Sequence, residues 1–173
     1  CNRLLALKCS LRHSLTITRS HKITTGETMP DTGFSIEDGI ALLAEAFAPW
    51  VLQQNLTPTA FSRTQATFIL PANDAHALRG GPGAGIICGQ AIAAAADTAT
   101  VIALAGANGR FRNCTTVNLA INYLRPLPMG DTIIKVDIDS NGRKLATCRL
   151  NIQSKDALKP AAVATATFMY LDK

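Results

Sequence analysis

The chain has 173 residues, of which 47% are hydrophobic and 17% charged, with a formal net charge of +5. That composition excludes a disordered polymer, and the length suits one buried core rather than two. The charge is uneven: residues 1–28 hold Arg3, Lys8, Arg12, Arg19 and Lys22 against Glu27 alone, and the remainder carries 12 basic and 11 acidic residues, too neutral a body to follow a nucleic-acid backbone.

The segment 1–28 is basic, rich in Ser and Thr and poor in acids, and the first methionine is Met29. It reads as a non-native, targeting or upstream segment, which leaves 29–173 as a single domain. Cys1, Cys9, Cys88, Cys114 and Cys148 are odd in number and show no CxxC spacing. Neither a disulfide framework nor a zinc site is expected, and a reducing, cytoplasmic compartment is.

Ser35 with Asp38 three residues on forms a capping box, followed by Ile36, Ile40, Leu43, Ala44 and Phe47 at helical spacing, which predicts an amphipathic helix over 36–48. Residues 59–70, TAFSRTQATFIL, are rich in Thr and Phe and end at Pro71, which predicts one strand. A glycine- and proline-rich loop follows, then an apolar helix from about Gly89 to Ala105 that stops at Gly106. This helix carries Asp97 near its middle and is otherwise mainly Ala, Gly and aliphatic. A carboxylate at that depth argues against a membrane span, where it would cost about 2.5–3.5 kcal/mol, and marks the residue as a surface acid or a tool.

The second half alternates with period two. Val117, Leu119, Ile121 and Tyr123 interleave with Thr116, Asn118 and Asn122, so Thr116 is expected to face away from the helix. Ile134, Val136 and Ile138 define a second strand, and Asn141-Gly142 predicts a type I′ turn. Ala146, Cys148, Leu150 and Ile152 form the inner face of a third, and a last strand covers about 160–171. Phe61, Phe68, Phe111 and Phe168 are expected in the core. The order predicts an α+β fold: an antiparallel sheet of about five strands curled around one long central helix, slimmed by Ala93–Ala96.

CGQAIAAAADTA, TTVNLAINYLRPLPMGD and SNGRKLATCRLNI resemble the PaaI-like (phenylacetate-pathway type) acyl-CoA thioesterases, a hotdog-fold family. There a His-Gly-Gly step opens the helix and an acid lies seven positions after the second Gly. Here Cys88, Gly89 and Gln90 occupy the step and Asp97 the acid position. The resemblance covers about 59–171 and departs from the family at Cys88 and Gln90. It implies hydrolysis of an acyl- or aryl-CoA thioester, in a homodimer or homotetramer whose active sites lie between subunits.

On that resemblance, main-chain N–H groups of Gly89 and Gln90 at the helix start would hold the oxyanion. Asp97 would activate water or attack the carbonyl itself, and Thr116 stands where some relatives place a helper hydroxyl. Cys88, Arg125, Arg143 and Lys144 are candidate substrate contacts, the cations for coenzyme A phosphates. The body has one histidine, His76, and no GxSxG, metal-ligand spacing or GxGxxG. A carboxylate mechanism without a cofactor is therefore expected, coenzyme A entering only as part of the substrate and neither nucleic acid nor membrane as a partner. The competing reading is a hotdog that binds an acyl-CoA or aromatic thioester without turning it over.

Overall fold

Ser35 opens the first helix as expected: in the computed structural model, which describes residues 33–171, its hydroxyl accepts from Asp38 N–H and the Asp38 carboxylate accepts from Ser35 N–H, both reciprocal capping-box bonds. The segment 1–28 and Met29 lie outside the described residues. Helix α1 runs Ile36–Ala46 and a single turn, α2, follows over Pro49–Leu52, where proline starts a turn that sequence spacing alone did not mark.

The expected strand over 59–70 is two strands, β1 (Thr57–Phe61) and β2 (Gln65–Leu70). Ser62 divides them: its side-chain oxygen accepts from the N–H groups of Thr64 and Gln65, so the local hydroxyl competes with ladder pairing and turns the chain. Helix α3 spans Gly89–Asn108, three residues longer than expected, and ends at Gly109 in the left-handed conformation (φ 67°). Gly106 does not stop it, because that glycine is needed for contact rather than for a turn. A Cβ on Gly106 would lie 2.5 Å from the Phe61 ring, and one on Gly39 of α1 would lie 2.9 Å from it. Phe61 thus fills the crossing of the two helices, edge-on to Phe34 and Phe68.

Strands β3 (Cys114–Tyr123), β4 (Thr132–Asn141), β5 (Leu145–Ser154) and β6 (Ala162–Tyr170) complete one six-stranded antiparallel sheet in the order β1-β2-β4-β5-β6-β3. The sheet packs on α3, the expected hotdog arrangement with six strands in place of five. Ile134, Val136, Ala146, Leu150, Ile152, Ala162 and Phe168 on its inner face meet Ala95, Ala96, Ala99, Ile102 and Ala103 of α3 in one core. By length and hydropathy α3 could cross a membrane, yet two-thirds of its most apolar window, 67%, is buried inside the protein. Phe111 is not a core residue; it lies in the connection after α3 and is exposed.

Two bulges alter what period two predicts. The β3–β6 register shifts between Thr116 and Asn118, so Val117 is exposed while Thr116, opposite the core residue Phe168, shares the inward face with Leu119 and Ile121. The β4–β5 register shifts between Ile138 and Ser140, and the hairpin closes through Gly142 N–H donating to Leu145 C=O. Neither Asn141 nor Gly142 has positive φ, so the type I′ turn is replaced by a longer loop.

Candidate active site

Helix α3 carries the candidate machinery on its N-terminal half. Cys88 is its N-cap residue, and the thiol makes no capping hydrogen bond. The first N–H groups of the helix, including those of Gly89 and Gln90, have no intrahelical acceptor, and the helix dipole puts its positive end there. Gly89 is held by a close neighbour: Tyr123 Oη donates to the Gly89 carbonyl at 2.9 Å, and a Cβ on Gly89 would come within 3.3 Å of the Tyr123 ring. A side chain at this position would therefore press on Tyr123, which lies at the end of β3.

Two hollows flank this helix start. One, about 460 Å³, is walled by Leu78, Ile87, Gly89, Ile92, Tyr123 and Arg125 among others and is predominantly apolar. The second, about 300 Å³, is lined by Trp50, Gln54, His76, Cys88, Gln90 and neighbours. Arg125 is exposed and its guanidinium donates to the Pro160 carbonyl, which holds it at the rim of the first hollow.

Asp97 lies two turns further along α3 and is half-buried. Thr116 Oγ1 donates to Asp97 Oδ1 at 2.8 Å, a contact made possible by the bulge at Val117. The expectation that Thr116 faces away from its own helix is therefore corrected. Strand β3 is the last strand of the described sheet, so this carboxylate–hydroxyl pair stands at an open sheet edge.

Within one protomer the site residues do not converge. Eight residues of helix separate Gly89 from Asp97, about 12 Å of rise. Arg143 and Lys144 sit in the β4–β5 loop beside the other end of α3: Arg112 Nη2 donates to Arg143 C=O at 2.9 Å, and Asn141 at the loop base donates to Asn108 Oδ1 at 3.2 Å. That is about 30 Å from the helix start. Sequence reasoning noted His76 only as the body's lone histidine and missed Gln54 altogether. Both are buried, at 6% and 4% exposure, and no periodic pattern would have singled out either. Among the described residues no cluster of His, Cys, Asp or Glu could hold a metal ion.

Residues 84–161 match the family model described as the thioesterase superfamily. Among solved structures, zebrafish thioesterase superfamily member 2 is 20% identical, covering 79% of this chain and 98% of its own at a TM-score of 0.67. A thioesterase of Haemophilus influenzae is 18% identical over 80% of this chain and 92% of its own, also at 0.67. A Pseudomonas aeruginosa protein is 24% identical over 79% and 98%, at 0.66. No curated protein sequence matches the chain. At these identities the structural likeness shows a shared fold, and the sequence match adds a likeness to the thioesterase superfamily over the segment 84–161, which holds the helix start, Asp97 and Thr116.

Proposed function

We propose that the protein hydrolyses an acyl- or aryl-CoA thioester, as a PaaI-like enzyme working as a homodimer or a pair of dimers. The observation that carries the reading is the Thr116–Asp97 hydrogen bond. It fixes a carboxylate that stands outside the Arg149–Asp139 and Lys155–Asp131 ion pairs of the described residues. The match of residues 84–161 to the thioesterase superfamily model supports the reaction class.

Distance supports the dimer. Asp97 and the N–H groups at Gly89 and Gln90 cannot reach one carbonyl across about 12 Å. A second copy pairing antiparallel along the ten-residue β3 edge would extend the sheet. Such pairing brings the Thr116 end of one β3 toward the Tyr123 end of the other, and so Asp97 of one copy toward the Gly89 of its partner. Thioester oxygen then lies on the uncapped helix start of one copy, where developing negative charge meets N–H groups and the positive dipole end. Asp97 of the other either takes the proton from the attacking water or attacks as nucleophile, its Oδ1 held by the Thr116 hydroxyl. Arg125 lies near enough to Gly89 to meet a phosphate or carbonyl of the coenzyme. The antiparallel arrangement also carries the partner's Arg143 and Lys144 toward the helix start that they do not approach within one copy.

The test is thiol release from acetyl-, hexanoyl-, palmitoyl- and benzoyl-CoA by the protein and by Asp97→Asn. Turnover that falls at least about a hundredfold in the variant supports the reading. Tight binding of a CoA ester without turnover would instead make the protein a thioester-binding hotdog.

A further inference from the structure

The apolar hollow of about 460 Å³ that touches Gly89 does not end at Arg125. It shares Arg125, Pro126 and Leu127 with a further hollow of about 290 Å³, whose other walls include Ser154, Asp156 and Lys159. The shared wall is bonded to the segment that carries Lys159. The N–H groups of Leu124 and Arg125 both donate to the Ala161 carbonyl, at 2.8 and 3.1 Å, and the Arg125 guanidinium donates to the Pro160 carbonyl. The turn beyond is held as well: Ala157 N–H donates to the Ser154 carbonyl at 3.0 Å, and Gln153 Nε2 donates to the Ala157 carbonyl at 2.9 Å. Arg125 and Lys159 are both exposed, yet they are set on two cross-linked segments at one continuous trough.

The chemistry along this trough has an order: the uncapped helix start, then a mostly apolar stretch, then two cations. Arg125 and Lys159 stand against one carboxylate, Asp156, so the charged side chains of the second hollow sum to +1. The hollow on the other flank of the helix start, beside Cys88, is lined by no Lys, Arg, Asp or Glu. A ligand that is neutral near its reacting atom and anionic at its far end therefore has one favoured direction to lie in. Coenzyme A esters have that order: the thioester, an uncharged pantetheine chain with a dimethyl branch, then a diphosphate and a phosphorylated ribose.

We propose that the trough is the coenzyme channel and that Lys159, with Arg125, holds the phosphates at its far end. The pantetheine chain runs from Gly89 between Tyr123 and Leu127. Arg125 has spent one N–H on Pro160 and keeps further donors for a phosphate oxygen, while Lys159 supplies a compact ammonium charge. This rests on the reading of the ligand as a CoA thioester, and it gives that reading a site complete within one copy, whereas Arg143 and Lys144 approach the helix start only from a partner.

The experiment is calorimetric titration of the full chain with coenzyme A and with pantetheine, beside thiol release from hexanoyl-CoA and hexanoyl-pantetheine. It is run on the parent, on Lys159→Ala, Lys159→Glu and Lys159→Arg, and on the double variant Arg143→Ala, Lys144→Ala. Coenzyme A should bind more tightly than pantetheine, by a margin that shrinks as salt is raised. Lys159→Ala should cut that margin at least about fivefold, Lys159→Glu should cut it further, and Lys159→Arg should restore most of it, a rescue by charge that a packing defect would not show. The KM for hexanoyl-CoA should rise in the same order. Thiol release accompanied by no margin for coenzyme A, or by a margin that survives Lys159→Glu or falls only in the double variant, would overturn the inference and leave hydrolysis standing. Neither coenzyme A binding nor thiol release from any ester would overturn both. Coenzyme A binding that depends on Lys159, with no thiol release, would uphold this inference and sink the hydrolytic reading.

Discussion

The two ends of helix α3 are built to opposite standards. At the C-terminal end a chain of hydrogen bonds ties the helix to the sheet. Gly109 caps the helix in the left-handed conformation, and Asn108 donates to the Leu104 carbonyl and to Tyr170 Oη. Tyr170 in turn donates to Asn141 Oδ1 at 2.6 Å, and the Arg112 guanidinium lies 3.5 Å over its ring. At the N-terminal end the cap residue bonds nothing through its side chain, two buried polar atoms lack partners, and hollows open on both sides. One end of the helix contributes stability through satisfied hydrogen bonds. The other leaves that stabilisation unmade where a reacting oxygen would need it.

Substitutions should separate the ends, activity falling at one and stability at the other. Beyond the Asp97→Asn loss, the largest effect expected is from Gly106→Ala, whose methyl would run into Phe61 at 2.5 Å; overpacking of that kind costs about 1–3 kcal/mol, read as a lower denaturation midpoint with kcat little changed. Thr116→Val removes the hydroxyl that holds Asp97 and should lower kcat roughly tenfold, with a lower midpoint as well, since a hydrogen bond to a charged group is worth about 1.5 kcal/mol or more. Tyr170→Phe breaks the link between Asn108 and Asn141 and should cost about 1 kcal/mol of stability while sparing turnover.

The smallest effect concerns pH. His76 has its pKa lowered by burial from 6.5, so below that value the unfolded chain takes up a proton that the folded one refuses. Its contribution to stability is therefore complete above about pH 6.5 and is lost as pH falls toward the folded value. Melting curves of the protein and of His76→Gln should converge as pH falls through that window and stay parallel above it.

What could be read from the sequence follows from how local each signal is. Ser35 and Asp38 sit three residues apart and bond each other, so the capping box was visible; the strands whose inner faces run Ile134-Val136 and Ala146-Cys148-Leu150-Ile152 were visible for the same reason, periodicity imposed by one buried face. The bulge at Val117 was not, because it depends on how β3 pairs with β6, fifty residues on, and it reversed the expected direction of Thr116. Gly106 looked like a helix stop because its partner, Phe61, is distant in sequence. At the candidate site, Asp97 and the step at Cys88–Gln90 were legible through a family resemblance, whereas the burial of Gln54 and His76 around the hollow that Cys88 also lines depends on the fold.

The most direct test of the account is activity in mixed dimers. Copies carrying Asp97→Asn and copies carrying Gly89→Val, each tagged differently, are co-expressed and the heterodimer is isolated. If Asp97 of one copy serves the helix start of the other, both defects fall in one site and the second site is intact, so the heterodimer regains about half the parent turnover from two variants that are nearly inactive alone. Heterodimers as inactive as either parent variant would place each site within a single copy and contradict the account.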